Sequence, residues 1–394
     1  MYDFEYFAPT KVAFGRGSED KLCPLLKEQG CKKVLLHYGG GSAERSGLLT
    51  VVRAAVKAAG GGGVAVGGGG AHPPLSLVYE GIELCKNEGV DFILAVGGGS
   101  VIDSAKAIGY GLANGGDVWD FYDGTRKPSA CAPVGVVLTI AAAGSEMSNS
   151  SVITKEGKDG GLKRSCNSNY ARPKFAVMNP ERTMTLPDYQ TACGCTDILM
   201  HTMERYFTSG GNMGITDAIA EGLMRTVIAN ARILARNPKD YAARAEVMWA
   251  GALSHNGLTG CGNDGGDWAV HGIEHELGGL YDVAHGAGLA AVWTAWAKYV
   301  YKDCLKRFYL FAVQVMGVRP SGTREELALK GIEAFGEFLR SIGMPTTLTE
   351  LGVNPTGEEY RKMAELCAAT GGGKKGSAKV LFADDIERIL RNAK

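Results

Sequence analysis

The sequence predicts an α/β N-terminal domain with a doubly wound, mostly parallel sheet over residues 1–185, followed by an all-α C-terminal domain over residues 186–394. Three observations predict it. The chain has 394 residues, and at roughly 100–200 residues per domain that length favours two domains. Before residue 180, short β-branched or apolar runs alternate with amphipathic stretches, the signature of strands joined by helices that cover both faces of a parallel sheet. Beyond Leu186-Pro187 the strand signal gives way to long helical periodicities.

The elements follow in order. Tyr6–Phe14, which contains Lys-Val-Ala-Phe, reads as an extra strand ahead of the first helix. Lys33–Tyr38 is a strand leading into a helix over Ala43–Ala59, and Asp91–Val96 a strand leading into a helix over Val101–Ala113. Pro133–Thr139 and Lys174–Met178 are further strands. Between them, Gly60–Gly63 and Gly67–Gly70 flank Val64-Ala65-Val66, where the alternation demands a strand. Glycine weakens a strand interior, so this one is expected to be a flexible edge without chemistry. In the second half, Asp188–Phe207, Thr216–Asn237, Ala242–Ser254 and Arg324–Ile342 carry the helical period.

Composition narrows the function classes. Forty-two basic and 42 acidic residues cancel, which leaves no bulk electrostatic case for a nucleic-acid or acidic-membrane partner. No uncharged apolar run approaches the roughly 18 residues that a membrane span needs. Ten cysteines without CxxC spacing, and an N-terminus without signal-peptide character, predict reduced thiols in a cytoplasmic protein. The unusual number is 57 glycines, and their clustering directs attention to particular turns. The Gly371–Gly373 cluster, beside Lys374-Lys375, reads as a surface loop.

Asp91–Val96 runs directly into Gly97, Gly98, Gly99 and Ser100 and then a helix. Glycines let a backbone approach a pyrophosphate, and the free N–H groups of a helix start supply donors and positive potential. Ser100 is the expected N-cap. Gly39, Gly40, Gly41 and Ser42 end the first strand of the alternating region in the same way. An acidic residue at such a place holds the ribose 2′-hydroxyl of NAD and repels a 2′-phosphate. None stands there, so a bound dinucleotide is expected to be the phosphorylated form.

Of the seven histidines, His271, His275 and His285 fall within fifteen residues. His271 and His275 are spaced i, i+4 and share one helix face, while His285 follows after a turn. Asp197 and His201 repeat that spacing. Two such helices facing each other bring together one carboxylate and up to four imidazoles, a donor set that suits Zn²⁺ or Fe²⁺ better than Mg²⁺ or Ca²⁺. Gly272 follows His271, so the motif is not the HExxH of a zinc peptidase. His37 and His255 read as ordinary hydrogen-bonded residues.

Joined together, these motifs resemble the iron-activated, group III alcohol dehydrogenases, in particular their butanol dehydrogenase-like, NADPH-using branch, over nearly the whole chain. The Asp-x3-His and His-x3-His-x9-His pattern is met by Asp197, His201, His271, His275 and His285, and the GGGSxxD loop by Gly97–Ser100 with Asp103; Thr185-Leu186-Pro187 and Trp268 also match. The resemblance implies Asp197, His201, His271 and His285 as metal ligands, with His275 near the nicotinamide in proton exchange. It implies Gly97, Gly98, Gly99 and Ser100 around the pyrophosphate, Asp103 facing the nicotinamide half, Thr139 on the adenosine side, and Lys163 at a ribose. Gly39, Gly40 and Ser42 match the branch that accepts the 2′-phosphate. Two segments depart from the pattern: Ala71-His72-Pro73 replaces Pro-Asn-Pro, and Ala143 replaces a threonine.

The expectation is therefore an alcohol dehydrogenase of two domains with its active site in the cleft between them. It would interconvert a primary alcohol and its aldehyde with NADP(H) preferred, NAD(H) a second option, and one Fe²⁺ or Zn²⁺. A homodimer is implied by the resemblance. Leu186, Trp268 and Trp293 suggest a small aliphatic pocket, with core packing the competing explanation. The alternatives are a zinc-dependent NAD polyol dehydrogenase or a cyclising synthase on the same fold, and a metal- or nucleotide-binding protein without turnover.

Overall fold

The computed structural model describes residues 1–69, 73–157 and 160–394. Ala71 and His72, where the sequence departs from the family pattern, lie outside the described residues. The chain separates into two compact units, one of Phe7–Leu186 and one of Met1–Tyr6 with Pro187–Lys394. Residues 1–6, read from sequence as part of the first domain, thus group with the helical unit: the Tyr2 amide donates to Gly262 O at 2.9 Å.

The first unit is built on a six-stranded parallel sheet in the order β1-β8-β5-β4-β2-β3. Its strands are β1 (Lys11–Phe14), β2 (Lys33–Gly39), β3 (Gly62–Gly69), β4 (Phe92–Gly97), β5 (Val134–Leu138) and β8 (Phe175–Met178). Helices α1 (Leu22–Gln29), α2 (Ser42–Arg45), α3 (Leu48–Ala58), α4 (Leu75–Glu88) and α5 (Gly99–Ala113) connect them. The central strands β4, β5 and β8 are buried at every residue, which is why they read as continuous apolar runs rather than alternating ones.

Four local expectations change. The helix expected over 43–59 is two helices, because Gly47 takes a left-handed conformation at φ 72° and breaks the run. The glycine-bracketed segment is a full eight-residue strand, β3, paired to β2 at the sheet edge. The β1 strand is confined to Lys11–Phe14, shorter than Tyr6–Phe14. Finally, β6 (Ser150–Lys155) and β7 (Leu162–Asn167) form an antiparallel hairpin that periodicity did not reveal. Its alternation is mixed, since Lys163 is buried and Leu162 exposed.

In the second unit the helices are α6 (Asp188–Tyr206), α7 (Gly214–Leu234), α8 (Tyr241–His255), α9 (Ala269–Tyr281), α10 (His285–Val300), α11 (Leu305–Leu310), α12 (Arg324–Ser341), α13 (Gly357–Ala369) and α14 (Ala383–Asn392). They surround an aromatic core in which Trp293 packs on Phe335 at 4.5 Å and Phe207 on Phe308 at 4.2 Å. Trp293 is 1% exposed and belongs to this core, so it lines no substrate pocket. No described helix is long and apolar enough to cross a membrane.

Candidate active site

Helix α6 carries Asp197, His201 and Glu204 at i, i+4 and i+7, on one face of the helix. Helix α9 carries His271, Glu274 and His275 at i, i+3 and i+4. Trp268 initiates α9 from a left-handed conformation (φ 58°), held by its Nε1 donating to Gly265 O at 2.6 Å and by the Arg205 guanidinium 4.6 Å above its ring. Asp267 accepts from the Ala269 amide at 3.1 Å, and its other oxygen accepts from the Ser377 and Ala378 amides. The segment just after Gly371–Gly373 is therefore docked onto the start of α9. At the far end Asp282, also left-handed at φ 53°, reverses the chain so that α10 opens on His285.

The result is a convergent set of ligand atoms. Single donor atoms of Asp197, His201 and His271 all lie within 4.8 Å of one another, and all three residues are buried. Asp197 Oδ1 is 3.1 Å from His201 Nδ1, 3.5 Å from His271 Nε2 and 3.6 Å from His285 Nε2. Despite this closeness, Asp197 Oδ1, His201 Nδ1 and His271 Nε2 make no hydrogen bond of acceptable geometry. Buried polar atoms are seldom left so. One oxygen and two nitrogens in mutual reach, with His285 Nε2 also beside Asp197 Oδ1, fit a borderline divalent ion such as Zn²⁺ or Fe²⁺. His275 stands apart from the group, half-buried, with its ring 6.0 Å from that of His285.

Electrostatics sharpen the picture. Burial alone would raise the Asp197 carboxyl, but the charges of His201 and His285 outweigh it and hold the group well below the usual carboxylate range. Burial pushes His201 down to about 4. Burial works in the same direction on His271, yet Asp197 and Glu204 overcome it and lift the ring to about 9. Asp267 is raised to about 7, first by burial and then by its neighbour Glu204.

Four residues of this site escaped the sequence reading. Glu204 Oε1 accepts from the His271 amide at 2.9 Å and lies 3.1 Å from His271 Nδ1, and Glu274 bonds His285 Nδ1. The His255 ring sits edge-on to His201 at 4.1 Å, so it is part of the cluster's wall. Asp267 is the fourth. Each glutamate stands three residues beyond a histidine of its own helix, but its partner is a histidine of another helix, which spacing within one helix does not reveal.

In the first unit, the Gly97–Ser100 turn joins β4 to α5. The N-cap is Gly98 and not Ser100, which lies inside the first turn; the helix begins two residues earlier than the serine suggested. A Cβ on Gly98 would collide with Ile140 Cγ2, and one on Gly99 would approach Ala143 Cβ to 3.1 Å, so these glycines admit a close protein loop as well as any ligand. The Thr139 amide donates to Gly97 O at 3.0 Å, which places Thr139 directly beside the turn. Asp103, which the resemblance places toward the nicotinamide half, is also bonded within the protein. Its Oδ1 accepts from Ser145 Oγ at 2.5 Å and its Oδ2 from the Val152 amide at 3.0 Å, so both oxygens hold the 145–152 segment. Lys106, fully buried, anchors the same segment through Ser145 O, Ser148 O and Ser150 O. Lys163 is buried and acts on the Asp103 charge. His37 is an internal hydrogen-bonded residue, with Nδ1 donating to Val66 O at 3.1 Å and Nε2 2.6 Å from Ser104 Oγ.

A parallel α/β unit with a glycine turn, and a helical unit with a carboxylate–imidazole cluster, define a class: metal-dependent dehydrogenases that use a nicotinamide nucleotide. The chain belongs to the iron-containing alcohol dehydrogenase family. The model for iron-containing alcohol dehydrogenase matches residues 9–180, and the C-terminal model of the Fe-containing alcohol dehydrogenase family matches residues 191–394. NADH-dependent butanol dehydrogenase A of Clostridium acetobutylicum is 36% identical over the full length of both chains. The NADPH-dependent aldehyde reductase YqhD of Escherichia coli is 34% identical over 90% of each. The crystal structure of NADH-dependent butanol dehydrogenase A from Thermotoga maritima superimposes with a TM-score of 0.95 at 40% identity, covering 100% of this chain and 99% of that one. The protein is an NAD(P)-dependent alcohol dehydrogenase that acts on the alcohol–aldehyde couple.

Proposed function

We propose that this enzyme reduces small aliphatic aldehydes, of the butanal type, to primary alcohols with NADPH, using one Fe²⁺ or Zn²⁺ held by Asp197, His201, His271 and His285. The observation that carries the proposal is the convergence of those side chains on Asp197 Oδ1 within 3.6 Å. A divalent ion bound there supplies a Lewis acid for the carbonyl oxygen, and a reduced nicotinamide supplies hydride. The chain's own contribution is to orient and to move a proton. His275, one turn from His271 and outside the tight donor group, delivers a proton to the substrate oxygen during reduction and takes it back during oxidation.

For the nucleotide, Gly97, Gly98, Gly99 and Ser100 hold the pyrophosphate with backbone donors, and Thr139 flanks them. Asp103 acts from beneath, by fixing the 145–152 segment, and Lys163 contacts a ribose of the nucleotide. Preference for the phosphorylated cofactor rests on Gly39, Gly40 and Ser42, which present no carboxylate, and on Arg45. Its guanidinium lies over the turn, such that a Cβ on Gly41 would be 2.6 Å from Nη1. A cation at that place pairs with a 2′-phosphate. The opposing indication is that several relatives are named NADH-dependent.

A homodimer in the cytoplasm completes the proposal. The N-terminal segment exposes Met1, Tyr2, Phe4, Tyr6 and Phe7, an apolar surface suited to a second copy, and all ten cysteines are free, as in a reducing compartment. The deciding experiment follows reduced-cofactor absorbance with butanal, comparing NADPH and NADH in metal-analysed protein. Steady NADPH oxidation is expected. Turnover only with NAD and a polyol would overturn the substrate assignment, and faster turnover with NADH would overturn the cofactor preference.

A further inference from the structure

An imidazole that binds a metal through one nitrogen carries a proton on the other, and the group that accepts this proton decides where the lone pair points. Two of the three imidazoles around Asp197 have such a group, in each case a buried carboxylate. Glu204 is 3% exposed, and one of its oxygens takes both the backbone amide and Nδ1 of His271, fixing main chain and ring together. Glu274, fully buried, takes Nδ1 of His285. In both rings the opposite nitrogen, Nε2, then faces Asp197 Oδ1, at 3.5 and 3.6 Å. His201 is handled differently: its own Nδ1 faces Asp197, and the His255 ring packs against it.

Burying a carboxylate costs several kcal/mol unless something compensates it. Here Asp197, Glu204 and Glu274 gather three of them around one point, and the surrounding helices make room for the arrangement. Gly288 on α10 leaves space for the Glu274 stem, since a Cβ there would stand 3.0 Å from Glu274 Cγ. We propose that Glu204 and Glu274 are positioning residues that hold His271 and His285 as Nδ1-protonated rings with Nε2 directed at the metal, and that their charge slows release of a divalent cation. The proposal rests on the reading of the Asp197 cluster as the metal centre.

The test loads the full-length protein with Zn²⁺ or Co²⁺ and measures two quantities: the rate of Zn²⁺ loss to an excess of chelator, and the visible absorption of the Co²⁺ form. Glu204→Gln and Glu274→Gln keep size and an acceptor while removing charge. Each is expected to weaken Zn²⁺ retention about 10–100-fold and to shift the Co²⁺ bands, with NADPH affinity unchanged. Wild-type release together with a wild-type Co²⁺ spectrum in both variants would overturn the proposal. Should a glutamine variant fail to fold, Glu204→Asp or Glu274→Asp replaces it, and the shortened carboxylate must still speed release. If the unmodified protein itself binds neither ion, the reading of the metal centre fails, which is a separate outcome from failure of the positioning role.

Discussion

Gly286 meets Cys193 backbone to backbone: a Cβ on Gly286 would stand 2.6 Å from Cys193 Cα. This contact sets how closely α10 approaches α6, and it lies one residue from His285 and one helical turn from Asp197. Gly286→Ala should force the helices apart, at a cost of about 1–3 kcal/mol for overpacking, and draw His285 away from Asp197. Reduced metal content after dialysis, with a lowered melting temperature, is the expected result; unchanged metal content would show that the close approach does not govern the site.

Two histidines on the same face of α9 should separate by their variants. His271→Ala is expected to lose metal and activity together. His275→Ala should retain metal and lose about 10²–10⁴-fold in turnover, the range for removal of a general acid or base. Metal analysis alongside kcat distinguishes them, and normal turnover in His275→Ala would remove it from the proton path.

Arg45→Ala tests the cofactor preference. Loss of one cation from a 2′-phosphate should weaken NADPH about tenfold, equivalent to about 1.4 kcal/mol, and leave NADH unaffected. The ratio of the two kcat/KM values is the measurement, and equal losses for both cofactors would place Arg45 outside the 2′ site.

Acid stability should depend on His37. Burial lowers this imidazole from 6.5 to about 4. The folded state therefore binds fewer protons than the unfolded chain between those values. Stability is fully present above pH 6.5 and is lost as the pH falls toward 4, by about 3 kcal/mol for a displacement of this size. Denaturant unfolding at a series of pH values, compared with His37→Gln, should give a flatter slope in the variant.

The glycines of β3 leave a cavity of about 290 Å³ against α3, lined by Val34, Val56 and Gly63 among others. A Cβ on Gly63 would meet nothing nearer than 3.8 Å. Gly63→Val should fill part of it and add about 1 kcal/mol through strand propensity, read as a higher melting temperature. At Gly67 the opposite holds, because a Cβ would fall 2.6 Å from the Tyr38 ring.

Periodicity and spacing alone revealed the alternation of strands and helices, the change near Leu186-Pro187, and the candidate ligands, because these depend on 3.6- and 2-residue repeats and on which side chains can hold a cation. The same local logic failed where partners are distant. The motif around Asp103 carried no sign of its bonds to Ser145 and Val152, more than forty residues away. Trp293 fitted a pocket or a core equally well until Phe335 and Phe311 were seen to enclose it. Glu204 and Glu274 resembled ordinary helical glutamates, since nothing within α6 or α9 requires them to be buried. Only the packing of α6, α9 and α10 brought His271 and His285 beside them. The chain sequence by itself determined the ligand types and their helix faces; the tertiary structure decided which nitrogen each ring presents, because that choice is made by a carboxylate reached through space.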